Sequence, residues 1–338
     1  MEIPSFALVH VPGESLDRMH LFFGPETLPA TSIDSLSQPR TLPQFFLSPW
    51  NTSESIFVFD DFKGVLNLGE AFLWIEDIHM RSLGTADTSF GHFESSVQKA
   101  KAAIDAGDLE KVVLAREKFI KTDTDLTELG TLFYSLCKEH PQAFVYVCSS
   151  KNWGTWMGAS PETLVNHKEG MASIMSLAGT LFSDSENWSA KESAEQEVTS
   201  NFIKDCLQWS EMDQVDVQEL RQGKMRHLMS VYRKAWALDA LSDLIKRLSP
   251  TPAVCGSPKE KALDYINDLE LFSRDLYAGF MGIHSGEGLI TNVNLRCAEI
   301  GDGMMRLIAG CGINKDSDPK REWDETALKM SVIEEYLS

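Results

Sequence analysis

The 338-residue sequence predicts an α+β fold built around a largely antiparallel sheet. Three observations point there. Apolar runs of strand length are separated mostly by turns, rather than by one helix after every strand, which argues against a doubly wound parallel sheet. Between them, at irregular intervals, come segments that keep helical spacing over several turns. Near the end, "FMGIHSGEGLITNVNL" (280–295) reads as two strands joined directly by a hairpin around Gly286 and Gly288.

Taken in order, the first 90 residues hold loops such as "LPATSIDSLSQPRTLPQ" and two strand-like pieces, "SIFVFDDF" (55–62) and "AFLWIEDIHM" (71–80). From residue 92 the pattern is regular. "HFESSVQKAKAAIDAGD" (92–108) is a helix with Val97, Ala100 and Ile104 on one face and Gly107 as its C-terminal stop. "LEKVVLAREKF" (109–119) is a strand, with Lys111 at the mouth of its apolar run. A helix over 125–140, a strand over 143–148 and a strand–turn–strand over 155–167 follow. Residues 189–210 form a long helix, with Ser189 as N-cap and Glu192 as its capping-box partner. The chain closes on a helix begun by Pro319. No Pro/Gly/Ser-rich linker interrupts residues 91–338, so one integrated unit is expected, with residues 1–90 a variable part of the same fold.

Composition is that of an ordinary soluble enzyme, 43% hydrophobic and 24% charged. No apolar run reaches the ~18–20 residues that cross a bilayer, and "MEIPSFALVHVPGESLD" lacks the basic-then-apolar start of a signal peptide. A cytoplasmic protein that touches no membrane is the expectation. Six cysteines without CxxC spacing read as reduced, mostly buried thiols. A formal charge of −19 argues against a nucleic-acid partner, which needs a basic surface. It also requires that any anionic substrate be met by a local cluster of cations.

Several residues invite a chemical reading beside a bland one. Glu322, Glu325 and Lys329 share one face of the closing helix; they are either a solvated Glu–Lys pair or part of a site. The helix at 189–209 adds Glu192, Glu195 and Glu197, and two acidic helices could supply carboxylates to Mg²⁺. Arg296 sits in an apolar strand, where it is either salt-bridged or a clamp for a substrate carboxylate. Glu162 follows a Ser-Pro turn, where a glutamate is ordinarily exposed. The glycines of "SLAGT", "YAGFMG" and "AGCGI" allow close backbone approach. Spacing alone does not choose among these readings.

Nine blocks in order do. "KVVLAR", "GASPETL", "SLAGT", "SAKESAEQ", "SPTPAVCG", "RDLYAGFMG", "NVNLRCAE", "AGCGI" and "EWDETALK" span roughly residues 93 to 335. Together they resemble the chorismate-utilising enzymes: isochorismate, salicylate, anthranilate and aminodeoxychorismate synthases. The resemblance implies the fold of anthranilate synthase component I, two α/β halves with packed, largely antiparallel sheets and outer helices. It implies Mg²⁺ as cofactor, with Glu195 and Glu325 as direct ligands and Glu322 nearby through water. Gly179, Thr180, Tyr277, Arg296, Gly310, Gly312 and Lys329 would hold chorismate, a dianion.

Within the family, water-using members carry a lysine at the head of the first block, where ammonia-using members typically carry glutamine. Aminodeoxychorismate synthases typically carry a nucleophilic lysine in the "LAGT" block, where this chain has Ala178. Lys111 is therefore implied to be the general base that activates water, and Glu162 the acid that protonates the departing C4 hydroxyl. A lysine base must be neutral when it accepts its proton, and the acid must hold its proton at working pH. Isomerisation of chorismate to isochorismate, for menaquinone or siderophore synthesis, is the implied activity; salicylate synthase, which also eliminates pyruvate, is the alternative. No glutaminase subunit is implied, and a monomer or homodimer is expected. The chain departs from common family usage at Ser249, Gln196 and Asp275, none of them a proposed ligand or catalytic group.

Overall fold

The computed structural model describes residues 3–337 apart from 53, 123, 182–187, 189, 211–213 and 223–224; the side chains of 178–181, 190–195, 214, 222 and 225 also lie outside the description. The described strands form two nine-stranded sheets. The first six are β1 (Ser5–His10), β2 (Met19–Gly24), β3 (Ala30–Ser32), β4 (Gln44–Ser48), β5 (Ser55–Phe59) and β6 (Asp61–Leu66). Next come β7 (Lys111–Lys121), β8 (Phe144–Ser150), β9 (Gly154–Ser160), β10 (Thr163–Lys168), β11 (Met171–Leu181), β12 (Gln214–Gln222) and β13 (Met225–Ala235). The last are β14 (Gly256–Ser257), β15 (Phe280–Ser285), β16 (Gly288–Val293), β17 (Cys297–Gly301) and β18 (Met304–Ile313). One sheet runs β14-β7-β18-β17-β9-β8-β1-β2-β6 and the other β12-β13-β11-β10-β16-β15-β4-β5-β3. Every ladder between these strands is antiparallel, as the turn-rich spacing predicts.

Seven α-helices are described: α1 (Leu68–Phe72), α2 (Phe90–Asp105), α3 (Leu126–Glu139), α4 (Ala190–Leu207), α5 (Leu241–Leu248), α6 (Lys259–Leu269) and α7 (Pro319–Glu334). The helices foreseen over 92–108, 125–140, 189–210 and 319–337 all appear. Gly107 stands just past the end of α2 at φ +79°, and Pro319 opens α7 behind an Asp318 cap. The Ser189–Glu192 capping box lies outside the described residues. One expectation fails. "AFLWIEDIHM" is not a strand: α1 ends within it, and coil follows. A short apolar run does not distinguish strand from helix, and the signal that decided was the Asn67–Glu70 capping box just upstream. "SIFVFDDF" is likewise split, with β5 in one sheet and β6 in the other.

Side-chain alternation explains why the central strands look uniformly apolar. In β8, Phe144, Tyr146 and Cys148 face a core between the two sheets, while Val145 and Val147 face a second core beneath α3 and α7. Burial on both faces gives the unbroken "FVYVC" run. A third core, under α2 and α6, backs β7. All six cysteines are buried and unbridged, as their spacing predicted. No described helix is long and apolar enough to cross a membrane.

Candidate active site

The site forms where the chain changes sheets. β9 belongs to one sheet and β10 to the other, and Pro161 and Glu162 make the crossing. The chain crosses back between β16 and β17, through residues 294–296. The two crossings are tied together, since Val293 N donates to Glu162 O at 3.0 Å and Ala159 N to Arg296 O at 3.0 Å. Gly158 makes this approach possible: a Cβ there would lie 2.8 Å from Cys297 Cβ and 3.1 Å from Arg296 O. A third segment, 274–279, is held to the second crossing by Asn294, whose Nδ2 donates to Leu276 O and whose backbone O accepts from Ala278 N.

Between these segments lies a cleft. Its wall includes Glu162, Tyr277, Arg296, Gly310 and Lys329, five of the residues singled out in the sequence. Val113, Leu177, Val254, Leu295 and Ile308 supply apolar wall, and His227 of β13 completes it. His227 is buried, and no spacing in the sequence marked it out, because its partners in the wall come from other strands.

Glu162 is only 2% exposed, and its Oε1 has no hydrogen-bond partner. Burial pushes its carboxyl up from the ordinary 4.5 to about 8, against the pull of Lys111, Lys329 and Arg296. It therefore carries a proton at neutral pH. The exposed-turn reading of Glu162 is set aside, because this turn lies between two packed sheets.

Arg296 stands at φ +51°, buried, with Nε unpartnered and no ion pair among the described residues. Burial lowers its pKa to about 10. A buried cation left without a partner fits a clamp for an anionic ligand better than a structural salt bridge. A left-handed backbone at a non-glycine residue costs about 1–3 kcal/mol and persists where the surroundings over-determine it. Here the Ala159 hydrogen bond and the Gly158 approach do so.

Lys329 reaches from α7 to donate to Gly310 O at 2.8 Å and pairs with Glu325 at 2.7 Å. The surface-pair reading thus accounts for the Glu325–Lys329 contact but not for Glu322, which is 1% exposed on the inner side of the helix. Arg116 of β7 sets the helix in place, its Nε donating to Thr326 Oγ1 at 2.6 Å and its guanidinium lying 3.8 Å from the Trp323 ring centre.

Lys111, 3% exposed, lies two residues before Val113 on the same face of β7, and its charge acts on Glu162. Lys111, Gly312, Glu322 and Glu325 stand outside the lining of the cleft itself. Gly312 pairs with Val113 in the β7–β18 ladder. The side chains at Gly179, Thr180 and Glu195 lie outside the described residues. Among the described residues, no three His, Cys, Asp or Glu converge as a metal site. Glu322 and Glu325 nonetheless present two carboxylates one turn apart, donors of the hard-oxygen type that Mg²⁺ takes.

A family model described as chorismate binding enzyme matches residues 76–338. The salicylate biosynthesis isochorismate synthase of Pseudomonas aeruginosa is 33% identical over 267 residues, 73% of this chain and 54% of that protein. The isochorismate synthase MenF of Bacillus subtilis is 30% identical over 70% of this chain and 54% of its own length. The chain thus spans about half the length of these curated relatives. In structure, the menaquinone-specific isochorismate synthase MenF of Escherichia coli aligns with a TM-score of 0.75 at 21% identity, covering 99% of this chain and 89% of that one. Anthranilate synthase component I of Streptococcus pneumoniae aligns with a TM-score of 0.69 at 20% identity, covering 98% and 90%. These two likenesses bear out the expected fold.

Proposed function

The chain belongs to the chorismate-binding enzyme family, and on that premise we propose that it isomerises chorismate to isochorismate. The observation that carries the proposal is a buried, protonated Glu162 in a cleft whose cations, Arg296 and Lys329, suit a dianion. Relatives named as isochorismate synthases support the same reading.

In this mechanism Arg296, Tyr277 and Lys329 bind and orient the substrate's carboxylates. Lys111 takes a proton from a water molecule as its oxygen bonds to C2 of the ring. The ring double bonds shift, the C4–O bond breaks, and Glu162 gives its proton to the departing hydroxyl. One water enters and one leaves, with no redox change. Burial serves the acid directly: a carboxyl near 8 holds its proton at neutral pH, whereas an exposed one would not. Glu322 and Glu325, joined by Glu195 of α4, would hold Mg²⁺. Bound there, the cation would supply positive charge for the ring carboxylate. Lysine rather than glutamine at 111 favours water over ammonia as nucleophile.

The test is purified protein with chorismate, with and without Mg²⁺, and products resolved by NMR. Isochorismate that accumulates to equilibrium only with the cation is the expected result. Salicylate and pyruvate formed with no added lyase would replace this reading with that of a salicylate synthase. No conversion of chorismate at all would overturn it.

A further inference from the structure

We propose that Glu270 and Arg274 are positioning residues, standing in for an absent strand beside β7 and thereby fixing Lys111 and the wall of the cleft. The proposal rests on the reaction assigned above, through the role of Lys111. β7 is laddered to β18 along one edge over its whole apolar run. On the other edge, β14 pairs only with Lys111 and Val112. Beyond that point the outward-facing backbone groups are met by the coil at Cys255 and by side chains.

Val113 N donates to Cys255 O at 2.8 Å. Val113 O accepts from Arg274 Nη2 at 2.8 Å, and Ala115 N donates to Glu270 Oε1 at 2.7 Å. The two side chains are joined by a bidentate pair, with Arg274 Nε and Nη2 at 2.8 and 2.6 Å from the two oxygens of Glu270. Arg274 Nη1 then donates to Val254 O at 2.8 Å. The guanidinium carbon lies 4.3 Å from the Trp50 ring centre and 5.8 Å from that of Tyr277. One planar fork thus contacts three residues of the cleft wall: Val113, Val254 and Tyr277.

The pair is 1% and 4% exposed. A buried ion pair of this kind is weak evidence for stability, since a packed apolar pair of the same volume commonly serves as well. What an apolar pair lacks is directed hydrogen bonds. Lysine lacks the fork, and one ammonium does not serve Glu270, Val113 and Val254 in the same plane. The directed bonds end on β7 at Val113 and Ala115, two and four residues from Lys111, so the pair holds the strand that carries the base where a small displacement is felt most.

Three variants test this: Arg274→Lys, Glu270→Gln, and the double replacement Glu270→Leu with Arg274→Met. Each is assayed for chorismate turnover, thermal melting and backbone hydrogen exchange. For the folded variants kcat should fall about 100-fold while KM stays within about threefold, because displacement of a reacting group by ~1 Å acts on the chemical step. Exchange should quicken at Ala115 and its neighbours on β7, with β8 unchanged. The double variant should melt near the parent temperature and still lose kcat, which separates positioning from stability. Parent kcat and KM in any folded variant would overturn the proposal, as would exchange that quickens uniformly with a fallen melting temperature. If the parent protein converts no chorismate, the assigned reaction fails instead, and exchange at Ala115 alone then decides whether the brace exists.

Discussion

Glu162 shows how much of a residue's chemistry is settled by what packs around it. Its pKa of about 8 is raised above its unfolded value of 4.5, so the folded protein keeps a proton that the unfolded chain releases. That difference lowers stability progressively as pH rises from about 4.5 to about 8. Glu162→Gln should therefore melt higher than the parent at pH 8, with the gap closing by pH 5, as scanning calorimetry would show. The same substitution should cut kcat by about 10²–10⁴-fold, the usual contribution of a general acid. In the parent, kcat/KM should decline as pH rises through about 8; a rate that climbed steadily through this range would remove Glu162 from the role of acid. Lys111→Gln should abolish water addition while chorismate still binds, read by titration calorimetry; full turnover would show that Lys111 is not the base. From sequence, Lys111 and Glu162 were both legible through their blocks, whereas turn context alone made Glu162 look like any exposed glutamate. Burial is a property of the neighbours, and those neighbours lie far away along the chain.

At the scale of elements, the closing helix was legible almost entirely. The spacing of Glu322, Glu325 and Lys329 placed them on one face, and α7 displays them so. Spacing did not reveal Arg116, which anchors α7 through Thr326 and Trp323, because it sits on β7, some two hundred residues earlier. β18 illustrates a second limit. Its glycines promised close approach, and the structure shows to what: a Cβ on Gly310 would stand 3.0 Å from Tyr277 Oη and 3.1 Å from Val113 Cγ1. Gly310→Ala should therefore fold, since its φ is not in the left-handed region, but crowd Tyr277 into the cleft. KM for chorismate should rise about tenfold, equivalent to about 1.4 kcal/mol of lost binding, with kcat little changed. An unaltered KM would show that Tyr277 does not touch the substrate. The misread "AFLWIEDIHM" belongs to this scale too, a segment too short for periodicity to decide.

At the scale of the molecule, a chain of net charge −19 handles its charge by segregation. Cations gather at the cleft, while a cluster with Arg306 and Glu299 buried at its centre and Arg81, Glu117 and Asp275 partly exposed around them joins strands of the first sheet to the 273–275 loop. Arg306→Met would leave Asp275 and Glu299 to Arg81 alone and take from Glu117 its Arg306 partner. Loss of one partner from a buried pair such as Arg306–Glu299 costs about 3–5 kcal/mol, and the partly exposed members soften that cost, so a fall in melting temperature of several degrees is expected; no change would mean that the cluster is solvated in solution. The amino-acid sequence by itself determined the α+β class, most helices, the state of the cysteines and, through nine ordered blocks, the family. Those features rest on local spacing and residue type, which the chain carries along its length. Only the tertiary structure decided that Glu162, Tyr277, Arg296, Gly310 and Lys329 share one cleft, that Glu162 holds its proton, and that His227, Glu270 and Arg274 stand beside them. These depend on where the chain crosses between two sheets and on what each crossing buries, and no local spacing encodes either.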